Sequence, residues 1–415
     1  MQTHNSAFFR GSLGVAYRVD DKTVVRSGFG ITVDPESLRD QAQAYPLLIS
    51  STTSGANSYV AGGNFTTGIP AVTLPSLNTG NVPLPYNVST WTLPQNFRRG
   101  YIESWNLAVQ RELPGSLVAN VAYVGNHAVR AQAQVNINAS YPGGGTAGRQ
   151  LNVKYGTAAN PNFNNTDMLG QNPFASSEYN ALQAQLTRHT ENHGSFGMIY
   201  TKSKAIDSAD QGAGSTLFFA YPDYWSRNRA LAGFDRTNNY QWWTLEPLPF
   251  GNGQLFLQKG VSAAILGGWH VQTVLSWLSG TPFTVQSSGS ALNAPGNVQV
   301  ADQLVPHVKI LGGHNPGKPY FDISNFAVPT GARFGTAGRN SIRGPGFFNL
   351  DAGIKRNIPL NERLALQLQA EAFDLTNTPQ FANPSGVTAS TTNGFGIITA
   401  SNVSRSMRFS GRFIF

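Results

Sequence analysis

One glycine-rich stretch has the spacing of a phosphate-binding loop. Residues 143–148 read GGGTAG and match the G-x-G-x-x-G pattern, in which glycines let the backbone approach a dinucleotide. Such a loop must follow a buried strand and open a helix, whereas this stretch follows Tyr-Pro inside a long polar segment. We therefore interpret it as an ordinary surface loop and predict no cofactor.

Two histidines have the spacing of metal ligands. His189 and His193 are four residues apart, a spacing that suits a metal site on a helix. They lie at a predicted turn without a third ligand nearby, and acidic residues such as Asp207, Asp210 and Asp235 fit no calcium-loop pattern. The chain also has no cysteine. No nucleophile, acid–base pair or metal set can be assembled, so the sequence predicts no catalytic residue, no metal and no enzyme activity.

An aromatic and basic cluster, YPDYWSRNR at 221–229, could instead bind a ligand without reacting with it. Its rings and guanidinium groups would suit the capture of a sugar or peptide by stacking and charge, through Tyr221, Tyr224, Trp225, Arg227 and Arg229. The same residues could equally belong to an interfacial aromatic girdle or to packing between loops. Both readings stay open at the level of sequence.

Composition points to the scaffold that carries these residues. Among 415 residues only 12% are charged, while 44 are glycine and 24 are proline, which favours an all-β protein with large loops. The formal net charge of +8 is scattered and forms no basic run, so no nucleic-acid partner is predicted. No stretch approaches the roughly 20 apolar residues of a membrane helix, and the first residues lack the pattern of a signal peptide.

Two-residue periodicity predicts eleven strands, most of them about 9–12 residues long, which suits strands that cross a membrane at a tilt. The predicted strands are 12–18, 22–33, 102–111, 117–125, 179–188, 195–203, 238–246, 268–278, 347–356, 363–374 and 404–415. Trp242, Trp243, Trp269 and Trp277 lie within or beside them and are interpreted as girdle or lipid-facing anchors.

The predicted strands have one apolar and one polar face. In the last strand Phe409, Phe413 and Phe415 alternate with Arg408 and Arg412. In a membrane barrel the phenylalanines would face lipid and form the C-terminal signal that the barrel-assembly machinery recognises, while the arginines would line the interior. The residues predicted to face the lumen are Asp351, Lys355, Gln367, Glu371, Arg408 and Arg412.

The connections between strands alternate in length. The long ones are 34–101, 126–178, 204–237, 279–346 and 375–403, and the short ones are 19–21, 112–116, 189–194, 247–267 and 357–362. Bacterial outer-membrane barrels have this asymmetry, with short periplasmic turns and long extracellular loops. The sequence therefore predicts an antiparallel transmembrane β-barrel in contact with outer-membrane lipid.

Several segments in combination resemble the C-terminal barrel of TonB-dependent receptors, specifically the Oar-like group. The matching segments are GSLGVAYRVDDKTVVRSGFGI (11–31), YIESWNLAVQREL (101–113), LVANVAYVGNHA (117–128), SEYNALQAQLTRH (177–189), YTKSKAIDSAD (200–210), LSGTPFTV (278–285), GRNSIRGPGFFNLDAGIKRNIPL (338–360) and RLALQLQAEAFDLTNTPQFANP (363–384). They are strand and turn patterns, so they identify an architecture and mark no reaction.

The resemblance implies a roughly 22-stranded barrel that is plugged by an N-terminal domain and imports a large nutrient with energy from TonB. Residues 1–415 would then supply about half of the barrel, since the plug and the regulatory-like N-terminal domain have no counterpart in them. On this expectation TonB would be a partner only of a full-length receptor, and the nutrient ligand is unknown. The alternatives are a self-standing porin-like passive channel and a secreted β-sandwich adhesin or carbohydrate-binding protein.

Overall fold

The structure is a computed structural model. It describes residues 11–33, 63–64, 66, 68, 78, 90–92, 98–156, 168–190, 194–210, 217–315, 317–384, 389, 394–402 and 404–415.

Within the described residues, eleven long strands form one antiparallel sheet, which we call the wall. In chain order they are β1 (Ser12–Asp20), β2 (Thr23–Val33), β3 (Tyr101–Leu113), β4 (Leu117–Asn136), β5 (Met168–Thr190), β6 (Gly194–Asp207), β7 (Asn238–Pro247), β8 (Trp269–Leu278), β9 (Phe347–Pro359), β10 (Ala365–Phe373) and β11 (Ser406–Ile414). Each strand pairs with the strands next to it in sequence. The predicted all-β antiparallel fold and all eleven predicted strands are confirmed. Within the described part of the chain, β1 pairs only with β2 and β11 only with β10.

The remaining elements are short. Strands Thr90–Thr92 and Ala230–Leu231 attach to β5 and β6, and three isolated pairs join Pro282–Phe283 to Ile342–Arg343, Asp302–Gln303 to Phe326–Ala327, and Gln380–Phe381 to Ser401–Asn402. The helices are α1 (Gln150–Tyr155), α2 (Gly260–Leu266) and the 3₁₀ turns Pro222–Asn228 and Ile323–Asn325. No helix among the described residues is long and apolar enough to cross a membrane.

The antiparallel order places every long connection at the same end of the wall. The chain reverses after each strand, so the connections that follow β2, β4, β6, β8 and β10 all lie at one end of the strands. The short connections, including the turn at 114–116, lie at the opposite end. We call these two ends of the wall the loop end and the turn end.

One predicted boundary is wrong. Residues 126–178 were expected to form a loop, but β4 continues to Asn136 and β5 begins at Met168, so the hairpin extends far beyond its neighbours. The pairing register shifts around Arg130, whose φ of 57° lies in the left-handed region, as in a β-bulge. Beyond this bulge both sides of β4 are covered, because Ala133 and Val135 pack in a cluster with Leu217 and Ala220 while Gln134 and Asn136 are buried as well.

Packed hydrophobic cores are found at the loop end. Sixteen buried residues from the connections β6–β7, β8–β9 and β10–β11 form one cluster, in which Val285, Val300 and Phe321 are fully buried. A smaller cluster joins the extended β4–β5 hairpin to Leu217 and Ala220. We call the assembled loops 208–237, 279–346 and 374–405 the cap, within their described residues.

The wall has one apolar and one polar face, and the register fixes which residues share a face. Cross-strand partners and same-side neighbours within each strand connect Leu13, Phe29, Trp105, Leu107, Tyr123, Leu182, Tyr200, Trp242, Leu275, Leu350, Ala372 and Met407 along one surface. Many of these side chains are exposed, for example Leu182 at 51%. Lys202, the partner of Leu182, also lies on this side, toward the loop end. On this apolar face the Trp105 indole covers Gly125, where a Cβ would lie 2.5 Å from the ring. Large aliphatic and aromatic side chains therefore cover one side of the wall without protein to bury them.

Candidate functional site

The six residues predicted to face the lumen share the polar face of the wall. Direct cross-strand pairs join Glu371 to Arg408, Gln367 to Arg412, and Lys355 to Gln369. Asp351 is on the same side of β9 as Lys355 because the two are four residues apart. The structure thus brings these residues onto one surface, opposite Phe409 and Phe413 of β11.

Glu371 is the centre of a hydrogen-bonded network on this face. Its Oε2 accepts a 2.7 Å bond from Arg408 Nε, and its Oε1 accepts bonds from Gln369 Nε2 at 2.7 Å and Gln272 Nε2 at 3.2 Å. The network spans β8, β10 and β11, with Gly353 of β9 leaving space for Gln272. It holds Glu371 in place while most of the Arg408 side chain stays exposed. The polar face therefore offers an exposed cation in a defined position.

The polar face also carries some apolar residues, among them Trp243. Trp243 lies on this face, so its prediction as a lipid-facing or girdle residue beside Trp242 on the apolar face conflicts with the strand geometry. Its indole covers Gly197, where a Cβ would lie 2.5 Å from the ring. Adjacent residues of one strand point to opposite sides, so Trp242 and Trp243 cannot share a surface.

The aromatic and basic cluster 221–229 lies in the cap, and three of its predicted residues are engaged in packing. Trp225 stacks on Phe174 of β5 with ring centroids 4.5 Å apart and donates a 2.8 Å bond to the Ala220 carbonyl. Tyr224 meets the edge of Phe334 at 4.7 Å. These contacts favour a structural contribution from Trp225 and Tyr224.

Arg227 is also held by the cap. Its guanidinium carbon is 4.2 Å from the Phe219 ring centroid, and its Nη2 donates a 2.6 Å bond to the Gly335 carbonyl. Burial lowers the pKa of Arg227 from its ordinary value. This cation joins two loops and has little freedom to meet a ligand.

Tyr221 and Arg229 are the members of the cluster that stay more available. Tyr221 is half-buried and makes an edge contact of 6.1 Å with Tyr141. Arg229 is exposed and donates a 2.9 Å bond to Glu178 Oε2 on β5. Any ligand contact made by the predicted cluster would centre on these two side chains at the rim of the cap.

A set of buried ion pairs that sequence reasoning missed fastens the cap to the wall. Arg339 is almost fully buried, pairs with Asp207 at the end of β6, and reaches Asp210 at 3.0 Å. Its Nε also donates a 2.7 Å bond to the carbonyl of Asn228. A buried guanidinium is favourable only when such partners satisfy it, so Arg339 fixes three segments relative to one another.

A second arginine completes this junction. Arg343 pairs with Asp235, whose side chain is fully buried, and donates a 3.0 Å bond to the Gly280 carbonyl. Asp235 in turn accepts a 2.6 Å bond from the Ala205 N–H of β6, which ties this pair to the wall. Asp207, Asp210 and Asp235, which fit no calcium-loop pattern in the sequence, are therefore ion-pair partners of arginines in the cap. The signal that could have found them is the presence of three carboxylates beside predicted strand ends, together with two arginines in GRNSIRGPG.

The motifs that suggested other chemistry take ordinary positions. Residues 143–148 form a looped turn before the six-residue α1, and Gly144 and Gly148 lie in contact there. His189 is at the end of β5, whereas His193 falls outside the described residues. Within the described residues, no group of three histidine, cysteine or acidic side chains could hold a metal ion.

Comparison with known families matches nearly the whole sequence. The family model described as "Outer membrane beta barrel domain" matches residues 3–409. No protein of curated function matches the sequence significantly.

Several solved structures are similar to this chain at very low sequence identity. The outer membrane transporter YddB from Escherichia coli has a TM-score of 0.50 at 8% identity, with 95% of this chain and 38% of that chain covered. The siderophore receptor PiuA from Acinetobacter baumannii has a TM-score of 0.45 at 9% identity, covering 97% and 35%. The ferripyoverdine receptor of Pseudomonas aeruginosa has a TM-score of 0.45 at 8% identity, covering 97% and 32%. The chain thus spans between about a third and two fifths of the length of these proteins.

Proposed function

Because the chain belongs to the family of outer membrane β-barrel domains, we propose that it contributes the membrane wall and outer loops of a TonB-dependent transporter that imports a large nutrient. Its location is the outer membrane, and its fold is an antiparallel β-barrel wall. The observation that carries the proposal is the division of this wall into an exposed apolar face and a hydrogen-bonded polar face.

The apolar face contacts lipid in this proposal. A β-strand in hydrocarbon satisfies its backbone through pairing with its neighbours and presents apolar side chains outward. Leu182, Tyr123 and Phe409 are 51%, 45% and 77% exposed, respectively, which in water would be an unfavourable surface. Phe409, Phe413 and Phe415 then also serve as the C-terminal signal for the barrel-assembly machinery, since β11 presents the first two on this face.

The polar face lines the import path. Asp351, Lys355, Gln367, Glu371, Arg408 and Arg412 provide both charges and amides there, with Arg408 held by Glu371. Such a wall suits contact with a hydrated plug and a polar nutrient, and it assigns no catalytic step to the chain. The cap forms the outer vestibule, where Tyr221 and Arg229 would contact the ligand.

Two features support a wall that continues beyond the described strands. The sheet has unpaired edges at β1 and β11 among the described residues, and hydrocarbon does not tolerate unpaired backbone groups. The E. coli transporter also has a much longer chain than the portion covered. We therefore propose that the chain is part of a larger receptor in which further strands complete the barrel. The motif resemblance described above supports a receptor of the Oar-like group, in which TonB would supply energy through the plug.

Electrical recording distinguishes this function from a passive porin-like channel. The purified 415-residue chain would be reconstituted into planar bilayers of phosphatidylethanolamine and phosphatidylglycerol, alongside Arg408→Glu. A transporter wall that needs further strands and a plug gives no uniform conductance steps. Reproducible steps whose ion selectivity changes with Arg408→Glu would overturn the proposal in favour of a self-standing pore.

A further inference from the structure

One connection at the turn end is much longer and more apolar than the others. Residues 248–268 join β7 to β8, and Lys259 is their single charged residue. Six large apolar side chains within twelve residues are exposed: Leu255 at 78%, Phe256 at 58%, Leu257 at 44%, Val261 at 75%, Ile265 at 60% and Leu266 at 44%. We call residues 248–268 the apolar segment.

The apolar segment is a folded unit with a defined shape. Gly251 N–H donates a 3.0 Å bond to the Phe256 carbonyl, and Phe256 N–H donates a 2.9 Å bond to the Pro249 carbonyl. Gly251 and Gly267 touch through their backbones, since a Cβ on Gly251 would lie 2.6 Å from the Gly267 Cα. The exposed side chains therefore belong to an ordered surface and are not the result of an extended loop.

Side chains from the apolar face of the wall hold this segment. Trp269 Nε1 donates a 3.0 Å bond to the Ile265 carbonyl, and Arg356 Nη1 donates a 2.8 Å bond to the same oxygen. Arg356 also reaches the Ala264 carbonyl, and its guanidinium carbon lies 5.8 Å from the Trp269 ring centroid. Trp269 and Arg356 are direct cross-strand partners on the face that carries Val271 and Ile354. The C-terminus of α2 is thus fixed to the lipid side of the wall.

The apolar surface is continuous from the wall toward this segment. A groove of about 390 Å³ begins at Trp269 and is lined by Leu368, Ala370 and Phe409 of the apolar face. Tryptophan is characteristic of the membrane–water interface, where its ring is in the apolar layer and its N–H finds a polar partner. An arginine or lysine beside it can extend its charge toward the headgroups.

From this continuity we propose that the apolar segment is an interfacial lipid anchor, in which α2 and residues 255–257 insert into the headgroup boundary of the leaflet at the turn end. Its ligand is phospholipid, with acyl chains against the exposed leucines, Phe256, Val261 and Ile265. Lys259 is the exposed cation of the segment that can meet the phosphates, whereas Arg356 is bonded to the carbonyls of Ala264 and Ile265. Amphipathic helices bind membranes in this way when an apolar surface lies in the interface plane. The inference rests on the proposed lipid contact of the apolar face.

Spin-label accessibility tests the anchor directly, and the absence of cysteine allows single labels without background. Val261→Cys would be labelled in the full 415-residue chain in vesicles of phosphatidylethanolamine and phosphatidylglycerol. Two matched controls are Leu107→Cys on the apolar face and Glu362→Cys in the turn 360–364 at the same end. Collision rates with oxygen, which concentrates in lipid, and with a water-soluble nickel chelate would be measured for each.

We expect the label at 261 to resemble that at 107, with oxygen collisions favoured, and to lie at a shallow depth. If the collision rates at position 261 match those at position 362, the anchor proposal is wrong. The surface would then be exposed to water, or it would bind a partner protein or a second copy of the chain. If position 107 itself is water-accessible, the proposed lipid contact of the wall fails instead. Ile265→Cys repeats the test at an independent position should the variant at 261 not fold.

Discussion

The wall and the cap use hydrophobic side chains in opposite ways. In the cap, Phe321 and Val300 are fully buried among residues from three loops, as in a water-soluble domain. In the wall, Leu182 and Phe409 are 51% and 77% exposed, and the backbone ladder joins the strands. One chain therefore contains a region that is stabilised by its own core and a region whose apolar surface must be covered by lipid.

The comparison also explains why the junction between them is polar. Asp207 ends β6, and Asp235, in the cap just before β7, accepts a 2.6 Å hydrogen bond from the Ala205 N–H of β6. Arg339 and Arg343 of the cap pair with these two carboxylates. An ion pair fixes a direction and a distance more strictly than apolar packing does, because the charges must meet. The pairs thus position the cap over the wall while each region keeps its own source of stability.

The largest expected effect comes from emptying the centre of the cap. Phe321→Ala removes a fully buried ring that contacts Phe326 and Phe395, and a substitution of this kind costs about 3–5 kcal/mol. We expect protease cleavage and hydrogen exchange to rise in 279–346 while the wall keeps its strand signal by circular dichroism. Phe409→Ala on the exposed apolar face is the matched control and should leave the cap protected. A loss of the strand signal of the wall together with the protection of the cap would contradict the idea that the two regions are stabilised independently.

The second largest effect is expected from breaking the ion pairs that join the cap to the wall. Arg339→Leu leaves Asp207 and part of Asp210 without their buried partner, and loss of one member of a buried pair costs about 3 kcal/mol or more. We expect the cap to open in hydrogen exchange at 228 and 335–343, with its core exchanging later. Arg333→Leu is the control, because Arg333 pairs with Asp302 at the cap surface. Equal effects of the two substitutions would show that Arg339 has no special position.

A charge introduced on the apolar face of the wall should destabilise the wall more than the same charge introduced on its polar face. Leu182→Arg places another cation on the apolar face, beside Lys202 of β6. A lipid-facing arginine costs about 2–4 kcal/mol at the membrane midplane and about 0–1 kcal/mol near the interface, so we expect a cost between these limits. Gln183→Arg on the adjacent, polar side should cost much less, because strand neighbours point to opposite faces. Denaturant unfolding in lipid vesicles would compare them, and similar destabilisation by both would mean that the faces are not distinguished by lipid.

The smallest expected effect is a pH dependence confined to the cap. Hydrogen bonds from Arg333 hold the pKa of Asp302 below its ordinary value of about 4, at distances of 2.8 and 2.6 Å. A carboxyl whose pKa is lowered on folding stabilises the cap above its unfolded pKa, and this contribution is lost as the pH falls through the folded pKa. Cap protection should therefore decline below about pH 4, and Asp302→Asn should remove this part of the decline. An unchanged profile in the variant would exclude the pair as its source.

The wall could be predicted from sequence because its signal is local. Alternation in segments such as 363–374 and the long–short order of connections depend only on neighbours along the chain, and the eleven strands follow from them. The prediction fails at 126–178 because β4 and β5 continue beyond the bulge at Arg130 into the cap, where both faces meet protein. The prediction for Trp243 fails for a simpler reason: Trp242 and Trp243 are adjacent in β7, so a period of two places only one of them on the apolar face.

The cap could not be predicted because its contacts are long-range and have no period. Phe219, Phe283 and Phe395 come from three different loops, and Arg339 meets Asp207 across 132 positions. The aromatic cluster at 221–229 was found as a composition signal, but only packing shows that Trp225 and Arg227 are engaged and that Arg229 is exposed. Residue type alone does not distinguish a stacking surface for a ligand from one for a neighbouring loop.

The most direct test of the account is a consecutive scan of one central strand. Single cysteines at positions 182 to 187 of β5 would carry an environment-sensitive fluorophore in vesicles that contain brominated lipid, and iodide in the buffer would be the second quencher. If one side of the wall faces lipid, quenching should alternate strictly, with positions 182, 184 and 186 quenched by the brominated lipid and positions 183, 185 and 187 quenched by iodide. Uniform quenching by iodide along the strand, or alternation in the opposite phase, would contradict the membrane wall.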